Sequence, residues 1–251
     1  MKKFSNIVIT GASSGIGEAL ARDYAAPGVR LALTGRDMSR LNAVADACRA
    51  KGAIVEADAI DVADRTRLAA WLAGFDAGGG VDLVLANAGL SIEKGRGVLD
   101  EVLVRRTFAV NVEGVFNTVF PLLPAMRARR LGQIGIVSSL ASFVGLPRAA
   151  AYNGSKAAVR VWGESIRHTL RPDGVGVSVI CPGFVETRIT QGNDFPMPFM
   201  MNSARASRIV RDGLARDRAR IAFPFGTKAA IWLAGALPGG WTDAIFARAA
   251  R

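Results

Sequence analysis

"ITGASSGIG", Ile9 through Gly17, decides how the rest of the chain is read. Two readings compete for it. Gly11-Ala12-Ser13-Ser14-Gly15 satisfies G-x-S-x-G, the strained turn that exposes a nucleophilic serine. The same letters set Gly11, Gly15 and Gly17 between an apolar run and a helix-like run, an arrangement that lets a backbone wrap a pyrophosphate. The serine reading needs an upstream strand and loop to build half of an oxyanion hole. Only twelve residues precede Ser13, and one strand uses most of them. Its base would be His168, the single histidine, which falls inside a helical pattern. The dinucleotide reading lacks none of its parts. Gly11 ends the strand and allows a tight turn, Gly15 lets the main chain approach phosphates, and Gly17 lets the next helix pack on the sheet. Free N–H groups of that helix face the anion, and Ser13, Ser14 and the main chain around Ile16 complete the cradle. The spacing is G-x-x-x-G-x-G, so its weight comes from its place between strand and helix.

Working outward, short β-branched runs alternate with amphipathic stretches. Strands are expected at Asn6–Thr10, Arg30–Thr34, Ala53–Glu56, Leu83–Ala86, Ile134–Ser138, Val175–Ile180 and Arg220–Phe223. Helices are expected at Gly15–Ala26, Ser39–Lys51, Arg65–Ala73, Asp100–Arg130 and Ala149–Leu170, with Pro121 and Pro124 kinking the long fourth one;. The strands are continuous apolar runs, as in "NIVIT" and "VDLVLA", the mark of strands buried on both faces. The pattern predicts an α/β fold, a doubly wound parallel sheet with helices on both faces, in one domain over 1–251. Ligands of such sheets bind at the carboxyl ends of the strands, near the topological switch point.

Composition narrows the function. Cys48 and Cys181 are far apart and in no CxxC, which suggests a reducing compartment and no disulfide framework;. One histidine excludes metal sites built on several imidazoles, and no metal is expected. The longest uninterrupted apolar stretch, Ala229–Leu237, stops at Pro238, short of a membrane span, so a cytoplasmic protein is expected;. The net charge is +11, with six arginines and two aspartates between Arg205 and Arg220. No aromatic residues interleave that cluster, so it is read as a solvated face and no nucleic-acid partner is expected.

The chain resembles the single-domain branch of the short-chain dehydrogenase/reductase family. The likeness runs from Thr10 to about Thr187 and rests on motifs in order: Thr10-Gly11-(three residues)-Gly15-Ile16-Gly17, Asp61-Val62, Asn87-Ala88-Gly89, Asn111, Ser139, Tyr152-(three residues)-Lys156, and Pro182-Gly183-Phe184-Val185-Glu186-Thr187. It implies hydride transfer between NADP(H) or NAD(H) and a carbonyl or secondary alcohol. Such a transfer needs a proton donor for the oxygen. Of the two tyrosines, Tyr24 sits in an apolar neighbourhood and reads as packing, whereas Tyr152 and Lys156 share a helix face;. A nearby ammonium is expected to lower the phenol pKa. The resemblance makes Ser139, rather than Ser138, the oxyanion partner and Asn111 a relay member that distorts its helix. It also implies that Asp61 and Val62 meet the adenine, and that Asn87, Ala88 and Gly89 lie along the adenosine ribose and the bend of the cofactor. Lys156 would hold the nicotinamide ribose, while Pro182, Gly183, Val185 and Thr187 would position the carboxamide. Ala86 departs from a second asparagine common in the family.

Strand two ends "LALTGRD", with Gly35 where NAD binders carry an acid and Arg36 next to it;. A guanidinium suits a 2′-phosphate, so NADP(H) is expected, with Asp37 the one contrary residue. Residues 184–218 are expected to shape substrate choice, and "DFPMPFMM", Asp194–Met201, reads equally as an apolar lid or as core or subunit contact;. The C-terminal "AAIWLAGALPGGWTDAIF" with Trp232 and Trp241 reads as a buried helix, a dimer surface or a weak peripheral membrane contact beside the basic Arg205–Arg220 segment;. A small-molecule substrate and a homodimer or homotetramer are expected. The rival from another class is a catalytically silent NADP-binding regulatory or scaffold protein of the same fold.

Overall fold

A computed structural model of the chain describes residues 1–91, 100–147, 149–188, 190–191, 197–237 and 241. Along it run β1 (Asn6–Thr10), α1 (Gly15–Tyr24), β2 (Arg30–Thr34), α2 (Met38–Arg49), β3 (Ile54–Asp58), α3 (Arg65–Ala77), β4 (Leu83–Ala86), α4 (Glu101–Phe108), α5 (Gly114–Val119), α6 (Leu123–Arg129), β5 (Gly132–Val137), α7 (Ala150–Leu170), β6 (Val175–Pro182), α8 (Ser203–Ala215), β7 (Arg220–Phe223) and α9 (Phe225–Ala236). Short polar residues set several helix starts. Asp37, Asp64, Asp100 and Asn202 each accept a hydrogen bond from the N–H three residues on, opening α2, α3, α4 and α8;.

The seven strands form one parallel sheet in the order β3-β2-β1-β4-β5-β6-β7. The chain winds from β1 to β3 in one direction and from β4 to β7 in the other. The switch point therefore lies between β1 and β4, where a crevice opens at the carboxyl ends. Alternate residues feed two cores. Ile7, Ile9, Leu31 and Leu33 pack with Leu20 of α1, Leu41 of α2 and Leu214 of α8. Val8, Ala32, Val84 and Ile134 pack with Leu68 of α3, Val115 of α5 and Val159 of α7. Truncating one of these buried leucines to alanine costs about 2–5 kcal/mol, so the crevice rests on a stiff floor.

Two expectations need correction. The edge strands β3 and β7 are not buried on both faces: Ile54 and Glu56, on the face opposite the core-facing Val55, are exposed, and so is Arg220. The single helix expected over Asp100–Arg130 is broken. A wide turn at Ala109–Glu113 carries i→i+5 winding, and Pro121, without an N–H, precedes the restart at α6;. Residues Glu101–Arg129 are long and apolar enough to cross a membrane, yet Val110, Val115, Val119, Leu122 and Met126 are buried in the second core. Beyond β6, α8 and α9 pack against opposite faces of β7. Val210 and Leu214 of α8 join Ile221 and Phe223 in the first core. Ile231 of α9 meets Ala222, on the opposite face of β7, together with Leu140, Val179 and Cys181. Residues 189, 192–196, 238–240 and 242–246 of the segments singled out above lie outside the described residues, as does the side chain of Trp232.

Candidate active site

A cleft of about 900 Å3 runs along the carboxyl ends of the central strands. Gly11, Ser13, Ser14, Gly15 and Ile16 line it from the β1 turn, Arg36 from β2, and Asp61 and Val62 from the segment after β3. Asn87, Ala88 and Gly89 line it after β4, Ser139 after β5, Tyr152 and Lys156 from α7, and Pro182, Gly183, Val185 and Thr187 after β6. The structure thus brings together every site residue expected from the sequence except two. Gly17 packs behind the turn, where a Cβ would run into the Gly11 carbonyl and the Asn87 amide. Asn111 is buried behind the cleft wall.

The β1 turn is shaped by missing side chains. Gly11 (φ +67°) and Gly15 (φ +61°) both adopt the left-handed region;. A Cβ on Gly11 would stand 2.8 Å from the Ala88 Cα, and one on Gly15 would stand 2.8 Å from the Thr187 Cγ2. The turn is pinned from both neighbours. The Ala12 N–H donates to the Thr34 carbonyl at 2.9 Å, and the Asn87 Nδ2 donates to the carbonyls of Thr10 at 2.8 Å and Gly11 at 3.2 Å. The Thr10 hydroxyl accepts from the N–H groups of Asn87 and Ala88, each at 3.1 Å. This is a rigid cradle that exposes main chain, and it fits a pyrophosphate.

The side chains expected to react come from elsewhere. Ser139 follows β5, and its Oγ accepts from the Ala141 N–H at 3.1 Å. The rival Ser138 donates instead to the Lys156 carbonyl at 2.8 Å and is spent on packing. Tyr152 opens to the cleft with Ser139 as its hydrogen-bonding neighbour. Burial pushes the phenol above its ordinary pKa, and only the Ser139 bond pulls the other way;. The lowering expected from Lys156 is therefore absent. The Lys156 Nζ lies 6.0 Å from the Tyr152 ring centroid and donates to the Val137 carbonyl at 2.9 Å. Burial drops the Lys156 ammonium itself to about 8, opposed weakly by Cys181.

Asn111 sits in the wide turn between α4 and α5, so the expected distortion of its helix is present. Its Oδ1 accepts from the Leu90 N–H at 2.8 Å, and its Nδ2 donates to the Leu90 carbonyl at 2.9 Å and to the Ser155 Oγ at 3.0 Å. Ser155 in turn donates to the Tyr152 carbonyl at 2.8 Å. Beside it, a Cβ on Gly89 would lie 3.0 Å from the Lys156 Nζ and 3.3 Å from the Asn111 Oδ1. His168 is exposed at the far end of α7, and Tyr24 packs edge-on against Phe4 under Arg211.

Several partners escaped the sequence reading. Arg106 of α4 pairs with Asp61. Burial alone would raise the Asp61 pKa, but the Ala63 N–H and the Arg106 guanidinium outweigh it and hold it below its usual value. No local pattern announces a partner forty-five residues away. Arg40 pairs with Asp37 at 2.9 Å. That pair was legible, because an aspartate just before a helix, three residues from an arginine, is an N-cap in reach of a cation.

The family model described as short chain dehydrogenase matches residues 5–195. An uncharacterized oxidoreductase of Myxococcus xanthus (strain DK1622) is 38% identical over 242 residues, covering 96% of each chain. Among solved structures, a short-chain dehydrogenase from Sphingobium yanoikuyae in complex with NADPH has a TM-score of 0.82 at 26% identity, over 95% of this chain and 96% of that one. A 3-oxoacyl-[acyl-carrier protein] reductase with bound NAD from Brucella melitensis has a TM-score of 0.74 at 26% identity, over 87% of this chain and 89% of that one. With its glycine turn, its seven-stranded parallel sheet and a match across most of its length, this chain belongs to the short-chain dehydrogenase family of oxidoreductases.

Proposed function

We propose that the protein is an NADP(H)-dependent reductase of a carbonyl group, with Tyr152 as proton donor. The observation that carries this is the convergence of Ser139, Tyr152 and Lys156 with the glycine turn in one cleft. The nicotinamide, when bound, supplies the hydride to the carbonyl carbon, or takes it from the alcohol. The chain does the rest. The Tyr152 phenol gives its proton to the carbonyl oxygen, and a pKa held high by burial keeps that proton in place at neutral pH;. Ser139, its oxygen already fixed by the Ala141 N–H, donates to the same oxygen and steadies the alkoxide;. Lys156 and the Asn111 Oδ1 border the space beside Gly89, which supports a proton path leading inward from the phenol along this side.

Four features support NADP(H) over NAD(H). Arg36 is exposed at the end of β2 and lines the cleft. A side chain at Gly35, the usual acidic position, would stand 2.8 Å from the Ser13 Oγ. Asp37 is engaged twice over, as the cap of α2 and as the partner of Arg40, so it is a poor acceptor for a ribose 2′-hydroxyl. The relative of TM-score 0.82 was solved with NADPH. The relative solved with NAD makes the comparison of the two cofactors the necessary control.

Phe199 and Met200, exposed on the segment between β6 and α8, support an apolar substrate. The outer face of α5 and α7, where Phe116, Phe120 and Trp162 stack, supports pairing of two copies. The test is NADPH consumption against ketones and aldehydes of graded size, with NADH alongside. Turnover with NADPH that disappears in Tyr152→Phe is expected. Equal kcat/KM for NADH and NADPH would overturn the cofactor assignment, and turnover unchanged in Tyr152→Phe would overturn the mechanism.

A further inference from the structure

Behind Ser139 lies a cluster that the proposed chemistry does not use. Ser139 is followed by a tight turn, Leu140–Phe143. Within it Ser142 ties back to the catalytic residue, its Oγ donating to the Ser139 carbonyl at 2.6 Å and its N–H at 3.1 Å. The far side of the turn is gripped by Arg160, one helical turn beyond Lys156 on α7. The Arg160 Nη2 points at the Ser142 carbonyl at 3.4 Å, its Nη1 donates to Glu164 at 3.2 Å, and its guanidinium lies 4.3 Å from the centroid of the Phe143 ring. Arg220 of β7 closes the group. It lies 5.1 Å from the centroid of the same ring and donates to Glu164 at 2.5 Å.

We propose that Arg160 is a positioning residue for the reaction: it locks the Ser139 turn to the helix that carries Tyr152 and Lys156, so that the two reacting hydroxyls keep one mutual geometry. The proposal rests on the reading of Ser139 and Tyr152 given above. Three observations carry it. Arg160 is mostly buried, with 17% of its side chain exposed, although its Nε finds no partner among the described residues. A desolvated ion pair of this kind adds little net stability, and an apolar substitute is often as stable. What the guanidinium does supply is a planar group that meets a ring face, a carboxylate and a backbone carbonyl at once, which a lysine cannot match. The group also joins three separate elements, α7, the Ser139 turn and β7, at the point where a small displacement reaches the reacting oxygen. Misplacement of about 1 Å costs on the order of a hundredfold in rate.

The experiment compares wild type, Tyr152→Phe, Arg160→Met, Arg160→Lys, Ser142→Ala and the Arg160→Lys/Ser142→Ala double variant, reading kcat, KM, NADPH affinity by fluorescence, and melting temperature. Arg160→Met is expected to lower kcat about tenfold to a hundredfold while NADPH affinity stays within about twofold. Arg160→Lys should recover melting temperature but not kcat. Ser142→Ala should lower kcat in the same direction, and its effect should not add to that of Arg160→Lys, because both act through one turn. If Arg160→Met does not fold, the lysine and Ser142 variants decide alone. Wild-type kcat in Arg160→Lys and Ser142→Ala would overturn the proposal, as would a loss of NADPH affinity in step with kcat. Wild-type activity in Tyr152→Phe would instead remove the reading beneath it, so the two failures are told apart.

Discussion

The cleft has two halves built on opposite principles. Around β1, β2 and β4 it is made of main chain and of side chains that are missing: Gly11, Gly15 and Gly35 each stand where a Cβ would meet Ala88, Thr187 or Ser13. Around β5 and α7 it is made of polar side chains sunk into the protein, with Lys156 and Ser139 buried and Asn111 fully buried behind the wall. On the proposed function, the first half would bind by shape and tolerate no added atoms, and the second would work by chemistry and tolerate no lost ones. Burial of Tyr152 and Lys156 moves their pKa values apart from their ordinary ones, and that is affordable only because Val137, Ser138 and Ser139 hold their neighbours.

Predictions can be set against this contrast. The largest effect belongs to the chemical half. Tyr152→Phe should lower kcat by roughly 10²–10⁴, the range of a lost acid, with NADPH affinity preserved. A parallel loss of affinity, read by fluorescence titration, would erase the distinction between halves. Next comes the shape half. Gly11→Val forces a branched side chain into the left-handed region and against Ala88, a strain of about 1–3 kcal/mol before any clash is counted;. NADPH affinity and melting temperature should both fall, and calorimetry with titration would show an unaffected variant at once. Arg36→Ala should weaken NADPH by about tenfold to a hundredfold, matching the 1.5–3 kcal/mol of a charged hydrogen bond, and leave NADH unchanged. The smallest effect is set by solution conditions. Lys156 loses its proton as pH rises through about 8, because burial disfavours the ammonium. The kcat/KM for carbonyl reduction should therefore be level below pH 8 and fall by up to tenfold per unit above it. In Lys156→Met the profile should be low and flat over the same range, and a limb that survives the substitution would belong to another group.

The contrast also explains what could be read from residue order. The glycine spacing at Gly11, Gly15 and Gly17 foretold a turn because a missing side chain constrains its own backbone, locally. The apolar runs foretold a parallel sheet because each run is contiguous in the chain, and they misjudged the edge strands β3 and β7, whose position depends on what other strands do. The alternation of Ile221, Ala222 and Phe223 sets α8 and α9 against opposite faces of β7, a division that no local pattern announces.

Residue order by itself determined the fold class, the turn that opens it and the set of candidate residues that line one cleft, since each of these is written in spacing within one or two elements. Tertiary structure alone decided which groups those residues meet. It spent Ser138 on the Lys156 carbonyl, turned Lys156 toward Val137, gave Asp61 to Arg106 and closed Arg160 over the Ser139 turn. The physical reason is that a pKa and a hydrogen-bond partner are set by burial and by neighbours across the sheet, which come from distant stretches of chain and leave no periodic trace in any one of them.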